Sequence, residues 1–421
     1  MLLNYKFSNF LSFKDECELS MLPKASDKAH LSHIITDNND NALKVKVFYG
    51  NNASGKTAFM KSVGALKYFV KNNAKISSSE IIDNNPFKFL PNYKERPSSF
   101  EITFKTNGIK YNYSFSRTPE KVISEELKAY YSAKQTLIFS KNEDGTYYVL
   151  AEDAKKLKEI VNKTAQNKLL LSVSDIWGYE RVKDVIYYLS NNLVTIYNID
   201  NLKTNIINQI GEDNLNEFKN FAIKFLNNFD IGISDFDITK YKFKNNEYLK
   251  SLYPATLSLL NNDKTTTDRL FDQDYYDITT FHKINENEIY KLKMVEESLG
   301  TQNLFGLAPI LFDVLKNGKV LFVDELDKSL HPLIVKGIVN MFLDEDINKN
   351  NAQLICNTHE TILQDLDLLR RDEIMFVDKN YNTGVSKIYS LADFSPRKSE
   401  RIQPAYILGR FGGIPFIGGN G

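Results

Sequence analysis

The sequence predicts an α/β protein with a mixed sheet whose strands are divided along the chain by a large insert. Three observations carry this. Short apolar runs bounded by turn residues stand at Val45–Tyr49, Val320–Val323 and Gln353–Cys356, and the last two have the texture of parallel strands buried on both faces. Alternating segments flank Asn107-Gly108, a dipeptide that supplies the positive φ of a hairpin turn. Between about 150 and 280 the texture shifts to Lys, Asn, Leu and Ile at mainly helical spacing, with few Gly or Pro, which predicts an inserted helical subdomain.

Taken in order, Leu2–Phe7 alternates and runs into Ser8-Asn9-Phe10-Leu11-Ser12-Phe13, an edge strand followed by a turn. Val45–Tyr49 ends abruptly in Gly50-Asn51-Asn52-Ala53-Ser54-Gly55-Lys56-Thr57, and a helix follows from about Lys56 to Asn72. Phe100–Phe104 and Ile109–Phe115 form the hairpin, with a weaker one around Glu143-Asp144-Gly145. From Ile289 strands and helices alternate again. The expected division is therefore 1–149, holding an N-terminal antiparallel β-subdomain and the glycine-rich loop; 150–285, the helical insert; and 286–421, which completes the first part.

At 421 residues the chain can bury a large core. Lys+Arg 53 against Asp+Glu 53 gives no net charge, which removes the field of a dedicated polybasic nucleic-acid or membrane binder. Cys17 and Cys356 are the two cysteines, too few for a disulfide framework or a tetrahedral zinc site. No apolar run reaches the roughly 18 residues that span a bilayer, so a cytoplasmic protein is expected.

Gly50-x4-Gly55-Lys56-Thr57 follows a predicted strand and opens a predicted helix, the context of a phosphate-binding loop. Backbone N–H groups from Gly50, Asn51, Asn52, Ala53, Ser54 and Gly55 can close around phosphate oxygens. Lys56 reaches the β and γ phosphates, and Thr57 offers a hydroxyl to Mg2+. Val320–Val323 ends in Asp324-Glu325; Asp324 is placed to hold Mg2+ through water and Glu325 to polarise an attacking water.

Leu326-Asp327-Lys328-Ser329-Leu330-His331-Pro332 follows directly, Glu297-Ser298-Leu299-Gly300-Thr301-Gln302 stands before, and Thr358-His359-Glu360 closes the next apolar run. In this order the chain resembles ABC-type ATPases of the SMC-like and OLD-like group, with their Walker A, signature, Walker B, D-loop and His switch. Asn9–Phe13, Phe100-Glu101-Ile102, Ser329–Pro332, Leu369–Ile374 and Gly409–Pro415 narrow the resemblance to AAA family ATPases of the RloA, AriA and AbiLi type, linked to bacterial anti-phage defence. That resemblance implies an ABC-type P-loop head that binds ATP and Mg2+ and hydrolyses ATP. Ser298 and Gly300 of one protomer would close over the nucleotide of another, Asp327 would lie in the D-loop, and His359 would sense the γ-phosphate.

It also implies a homodimer or higher oligomer, a separate effector such as a Toprim-like or RloB-like nuclease, and a phage protein as trigger. Leu11 stands where many relatives carry Arg, and Glu297–Thr301 departs from the transporter signature. In isolation Ser298-Leu299-Gly300 reads more readily as an ordinary helix cap. Asp365-Leu366-Asp367 imitates a Toprim Asp-x-Asp but reads as the solvated face of a helix, and Lys67, Lys71 and Lys75 as a solvated stripe. The insert and the Gly409–Phe416 segment are the candidate docking surfaces. The rival reading is an SMC-like DNA-binding repair or chromosome-maintenance ATPase, disfavoured by neutral charge and by the lack of a long heptad run.

Overall fold

The computed structural model describes residues 1–414 apart from 39, 203–211, 230, 243–273, 286–287 and 398. The end of the proposed C-terminal docking segment, Pro415 and Phe416, and part of the expected insert lie outside the described residues. Contacts divide the chain into two compact units: Met1–Tyr197 with Asn317–Leu326 and Ile338–Gly421, and Asn198–Lys316 with Asp327–Gly337.

The first unit holds two large sheets. One is antiparallel and seven-stranded, in the order Tyr147–Val149, Thr136–Lys141, Val122–Tyr130, Ile109–Arg117, Ser98–Thr106, Leu2–Ser8, Cys17–Ser20. Leu2–Ser8 is thus an interior strand and not the expected edge: it pairs with Ser98–Thr106 on one side and Cys17–Ser20 on the other. The second sheet is mixed, in the order Leu193–Ile196, Val320–Val323, Gln353–Asn357, Val45–Tyr49, Ile374–Lys379, Ser386–Ser390. Its first five strands run parallel and the sixth antiparallel. Val45–Tyr49, Val320–Val323 and Gln353–Asn357 are buried at every residue, which explains their apolar composition without alternation.

Helix Lys56–Asn72 buries Phe59, Met60, Val63, Leu66, Phe69 and Val70 at helical spacing. Phe59 lies 5.9 Å from Phe7 of the antiparallel sheet and 4.8 Å from Phe48 of the mixed sheet. One aromatic side chain thereby joins both sheets in a shared core, and burying a ring of this size is worth about 3 kcal/mol.

The second unit contains an antiparallel sheet of Ile233–Lys242, Asp274–Lys283 and Ile289–Lys293, with helices Leu215–Asn227 and Leu299–Asn317. Phe218, Phe236, Phe305 and Phe312 contact one another edge to face at 5.0–6.2 Å and form its core. The stretch 150–285 therefore corrects the sequence reading. Residues 150–197 belong to the first unit, and within the stretch Leu193–Ile196 completes the mixed sheet while two long strands build a sheet of their own. Helices do occur there, at Ala154–Lys163, Leu170–Ile176, Lys183–Tyr187 and Leu215–Asn227.

Candidate functional site

Val45–Tyr49 lies at the interior of the mixed sheet, so the loop after it emerges at the carboxyl edge, where open α/β sheets bind ligands. Both glycines of the motif are required sterically. A Cβ on Gly50 would stand 2.4 Å from Val377 O, and one on Gly55 2.6 Å from Ser386 Oγ and 3.0 Å from Ser12 Oγ. Gly55 also has φ of +118°, a conformation open only to glycine, and Ala53 is left-handed at +63°. Ser386 Oγ donates to Ser54 O at 2.6 Å and lies 2.8 Å from Ser12 Oγ, so the strand beginning at Ser386 and the turn at Ser12 both brace the loop.

Lys56 is buried, and its Nζ donates to Gly50 O at 2.6 Å and Asn51 O at 3.0 Å across the loop. Ser54 Oγ and Asn51 Oδ1 are buried without a hydrogen-bond partner among the described residues. A closed backbone cradle, a lysine drawn over it and an uncommitted hydroxyl are the donor set that a phosphate group needs. Thr57, exposed on the first helical turn, and Asp324 carry oxygens of the kind that would suit Mg2+, which uses one or two protein oxygens beside bound phosphates.

The carboxylates leave the same end of the sheet, two strands away. Register pairs Val323 with Cys356 and Asn357 with Phe48. Asp324 is 3% exposed and Glu325 half-buried. Glu325 sits at φ of +54°, a left-handed conformation unusual for a non-glycine residue. Asn357, fully buried, meets both: its Nδ2 donates to Asp324 Oδ1, and its Oδ1 accepts from Glu325 N at 2.8 Å. Its carbonyl accepts from Leu326 N at 3.0 Å. Two residues further on, His359 is exposed and faces a cavity of about 560 Å3 lined also by Gly50, Asn51, Tyr49, Tyr381 and Tyr406. Tyr381 OH accepts from Asn51 Nδ2, which ties the phosphate loop to this cavity.

Ser298, Gly300 and Asp327 belong to the second unit. Ser298 is exposed, and its Oγ accepts from Thr301 N at 3.1 Å and lies 2.8 Å from Thr301 Oγ1, capping helix Leu299–Asn317. A Cβ on Gly300 would come 3.1 Å from Ser329 O. Glu297 Oε1 meets Thr280 Oγ1 at 2.5 Å and His282 Nε2 at 2.7 Å. Asp200 binds Lys328 Nζ at 2.8 Å and accepts from Asn303 Nδ2 at 2.8 Å. Its carboxyl is held below the usual range, chiefly by the bond from Lys328.

The first unit thus brings Gly50–Thr57, Asp324, Glu325 and His359 to one sheet edge. Sequence reasoning missed Asn357, Ser386, Tyr381 and Asp200. Asn357 alone left a signal, as a polar residue closing an apolar strand directly before Thr358-His359. The Asp365 reading needs correction: the segment is a turn and not a helix, with Asp365 Oδ1 accepting from Asp367 N at 3.0 Å. Lys67 of the basic stripe is half-buried and donates to Leu193 O at 2.6 Å. The C-terminal Phe411 is buried on Phe376, 5.7 Å between rings. No helix among the described residues is long and apolar enough to cross a membrane.

Among solved structures, the SMC head domain from Thermotoga maritima is similar at 15% identity, over 92% of this chain and 98% of that one, with a TM-score of 0.42. An Smc head domain with an extended coiled coil, bound to the C-terminal domain of ScpA and derived from Pyrococcus furiosus, matches at 13% identity over 92% and 96%, with a TM-score of 0.37. The cbiO1 component of the ABC transporter complex cbiONQ from Clostridium perfringens matches at 14% over 51% and 64%, with a TM-score of 0.25. No curated protein matches significantly. The family model AAA_21, described as "AAA domain, putative AbiEii toxin, Type IV TA system", matches residues 46–365, from the phosphate-loop strand to beyond His359. The chain belongs to this AAA domain family.

Proposed function

We propose that the chain is an ATP-binding and ATP-hydrolysing switch subunit of a bacterial anti-phage defence system, of the abortive-infection kind, and that it controls a separate effector protein. The observation that carries this reading is the pairing, on one sheet edge, of a glycine-obligatory phosphate loop with the Asp324-Glu325 end. Lys56 binds the β and γ phosphates of ATP, and Glu325 orients and deprotonates the attacking water. Thr57 and Asp324 are the residues that would hold Mg2+, which would supply charge neutralisation at the phosphates. His359 contacts the γ-phosphate from the strand beyond.

In this ABC-type reading, Ser298 and Gly300 act on the nucleotide of a second protomer, with Asp327 in the D-loop between. Exposure of Ser298 and of its neighbours Val295 and Leu299 is consistent with such a surface. Family membership, in a family described by a putative AbiEii toxin and a type IV toxin–antitoxin system, supports a defence role exercised with a second component. A Toprim-like or RloB-like nuclease is the expected effector and a phage protein the trigger.

The test is phage challenge of cells expressing this chain alone, or with its neighbouring genes, in wild-type and Lys56→Ala forms. The reading expects protection only with a neighbour present and only with Lys56 intact. Full protection by this chain alone, or protection undiminished in Lys56→Ala, would overturn it.

A further inference from the structure

We propose that Asn357 is the positioning residue for both carboxylates, setting the direction of Asp324 toward the metal and holding Glu325 in its left-handed backbone conformation. This rests on the reading of Asp324 as the metal-side group and Glu325 as the water-side group. The geometry is specific. One fully buried amide spends its donor on Asp324 Oδ1 and its acceptor on Glu325 N, and the same residue's carbonyl receives Leu326 N. Three consecutive residues of the turn after Val320–Val323 are thereby fixed by one residue of the neighbouring strand.

That turn needs fixing. A left-handed backbone is disfavoured for a non-glycine residue relative to its ordinary conformations, so without an outside bond Glu325 would relax and carry its carboxylate away. Strand Gln353–Asn357 also lies between the carboxylate strand and the phosphate-loop strand. Asn357 therefore couples the two halves of the site through the sheet itself, since its backbone is in register with Phe48, two residues before Gly50.

Removing a side chain that orients a metal-binding carboxylate typically costs 10–100-fold in metal affinity or activity. Asn357→Leu keeps the same branching at Cγ and lacks both hydrogen bonds; Asn357→Thr is smaller and keeps a hydroxyl suited to a strand and able to donate to Asp324. Binding of a fluorescent ATP analogue is titrated in EDTA and then against MgCl2, beside kcat and KM. For Asn357→Leu we expect affinity in EDTA within about twofold of wild type, half-saturating Mg2+ raised roughly tenfold, and kcat lowered about 10–100-fold with KM little changed. Asn357→Thr should recover part of both losses. If Asn357→Leu does not fold, the Thr variant must still show raised half-saturating Mg2+.

A folded Leu variant with wild-type Mg2+ dependence and kcat would overturn the assignment. So would one that loses nucleotide affinity in EDTA as steeply as turnover, which marks a merely structural residue. Absence of hydrolysis in the wild type would sink the ATPase reading, while the Mg2+ titration of binding would still decide the role of Asn357.

Discussion

The carboxylate end of the first unit and the signature segment of the second are both short turns beside a helix or strand, yet they are built oppositely. Asp324 and Glu325 are gripped by a buried side chain from the next strand. Ser298 is exposed, and its hydroxyl serves its own helix; Val295 is 77% and Leu299 55% exposed. The first turn has its geometry complete within one chain, as preorganised chemistry requires. The second keeps a surface open, as expected of a group that works on another protomer.

The largest effect should come from breaking the preorganised half at its backbone. Gly55→Ala forces a Cβ into Ser386 Oγ at a φ that alanine cannot adopt. ATP affinity should fall at least 100-fold by equilibrium binding, with the melting temperature changed far less. Next, Glu325→Gln preserves shape and removes the base. Turnover should drop about 10²–10⁴-fold in a phosphate-release assay while ATP stays bound; unchanged turnover would remove Glu325 from the mechanism.

A stability effect sharpens the same comparison within the first unit. The Glu125 carboxylate accepts Leu170 N at 2.6 Å, Leu171 N at 2.8 Å and Tyr113 OH at 3.0 Å, securing the start of helix Leu170–Ile176. Burial pushes this carboxyl up to about 7 from 4.5, outweighing the three donors that pull it down. Below pH 4.5 both folded and unfolded chains hold the proton. Between 4.5 and about 7 the unfolded chain releases it first, so Glu125 contributes less stability as pH rises through that window. Glu125→Gln cannot ionise, and in denaturant melts its stability relative to wild type should improve from pH 4.5 to 7.5. A relative decline would mean that Glu125 is ionised in the fold.

The smallest effect is a gain. Glu325→Gly relieves the left-handed strain and should stabilise the chain by about 1 kcal/mol in the same melts while abolishing turnover. Equal or lower stability would show that the greater freedom of glycine in the unfolded chain cancels the relieved strain, since the bond from the backbone N–H to Asn357 is kept in both.

The phosphate loop was legible because its determinants are contiguous, and the central strands because burial on both faces leaves an apolar run. Other features were hidden by distance or irregularity. Leu2–Ser8 is interior only because Cys17–Ser20 and Ser98–Thr106 flank it, a pairing no local pattern encodes. Ile233–Lys242 pairs with Asp274–Lys283 across more than thirty residues of intervening chain, and its short alternation is lost in a Lys-, Asn-, Leu- and Ile-rich stretch whose average spacing reads as helical. Asp365 turned the chain with its own side chain where leucine spacing suggested a helix. Asn357 owes its role to a strand neighbour 33 residues earlier in sequence, Asp324.

In the proposed shared site, one chain supplies the phosphate loop and carboxylates while another supplies the signature. Lys56→Ala and Ser298→Arg chains, each inactive alone, are mixed and assayed for ATP turnover after subunit exchange is verified. A mixed dimer contains one composite site with both intact halves, so turnover should return to a substantial fraction of wild type. Mixed assemblies that form, exchange and stay inactive would contradict the shared site.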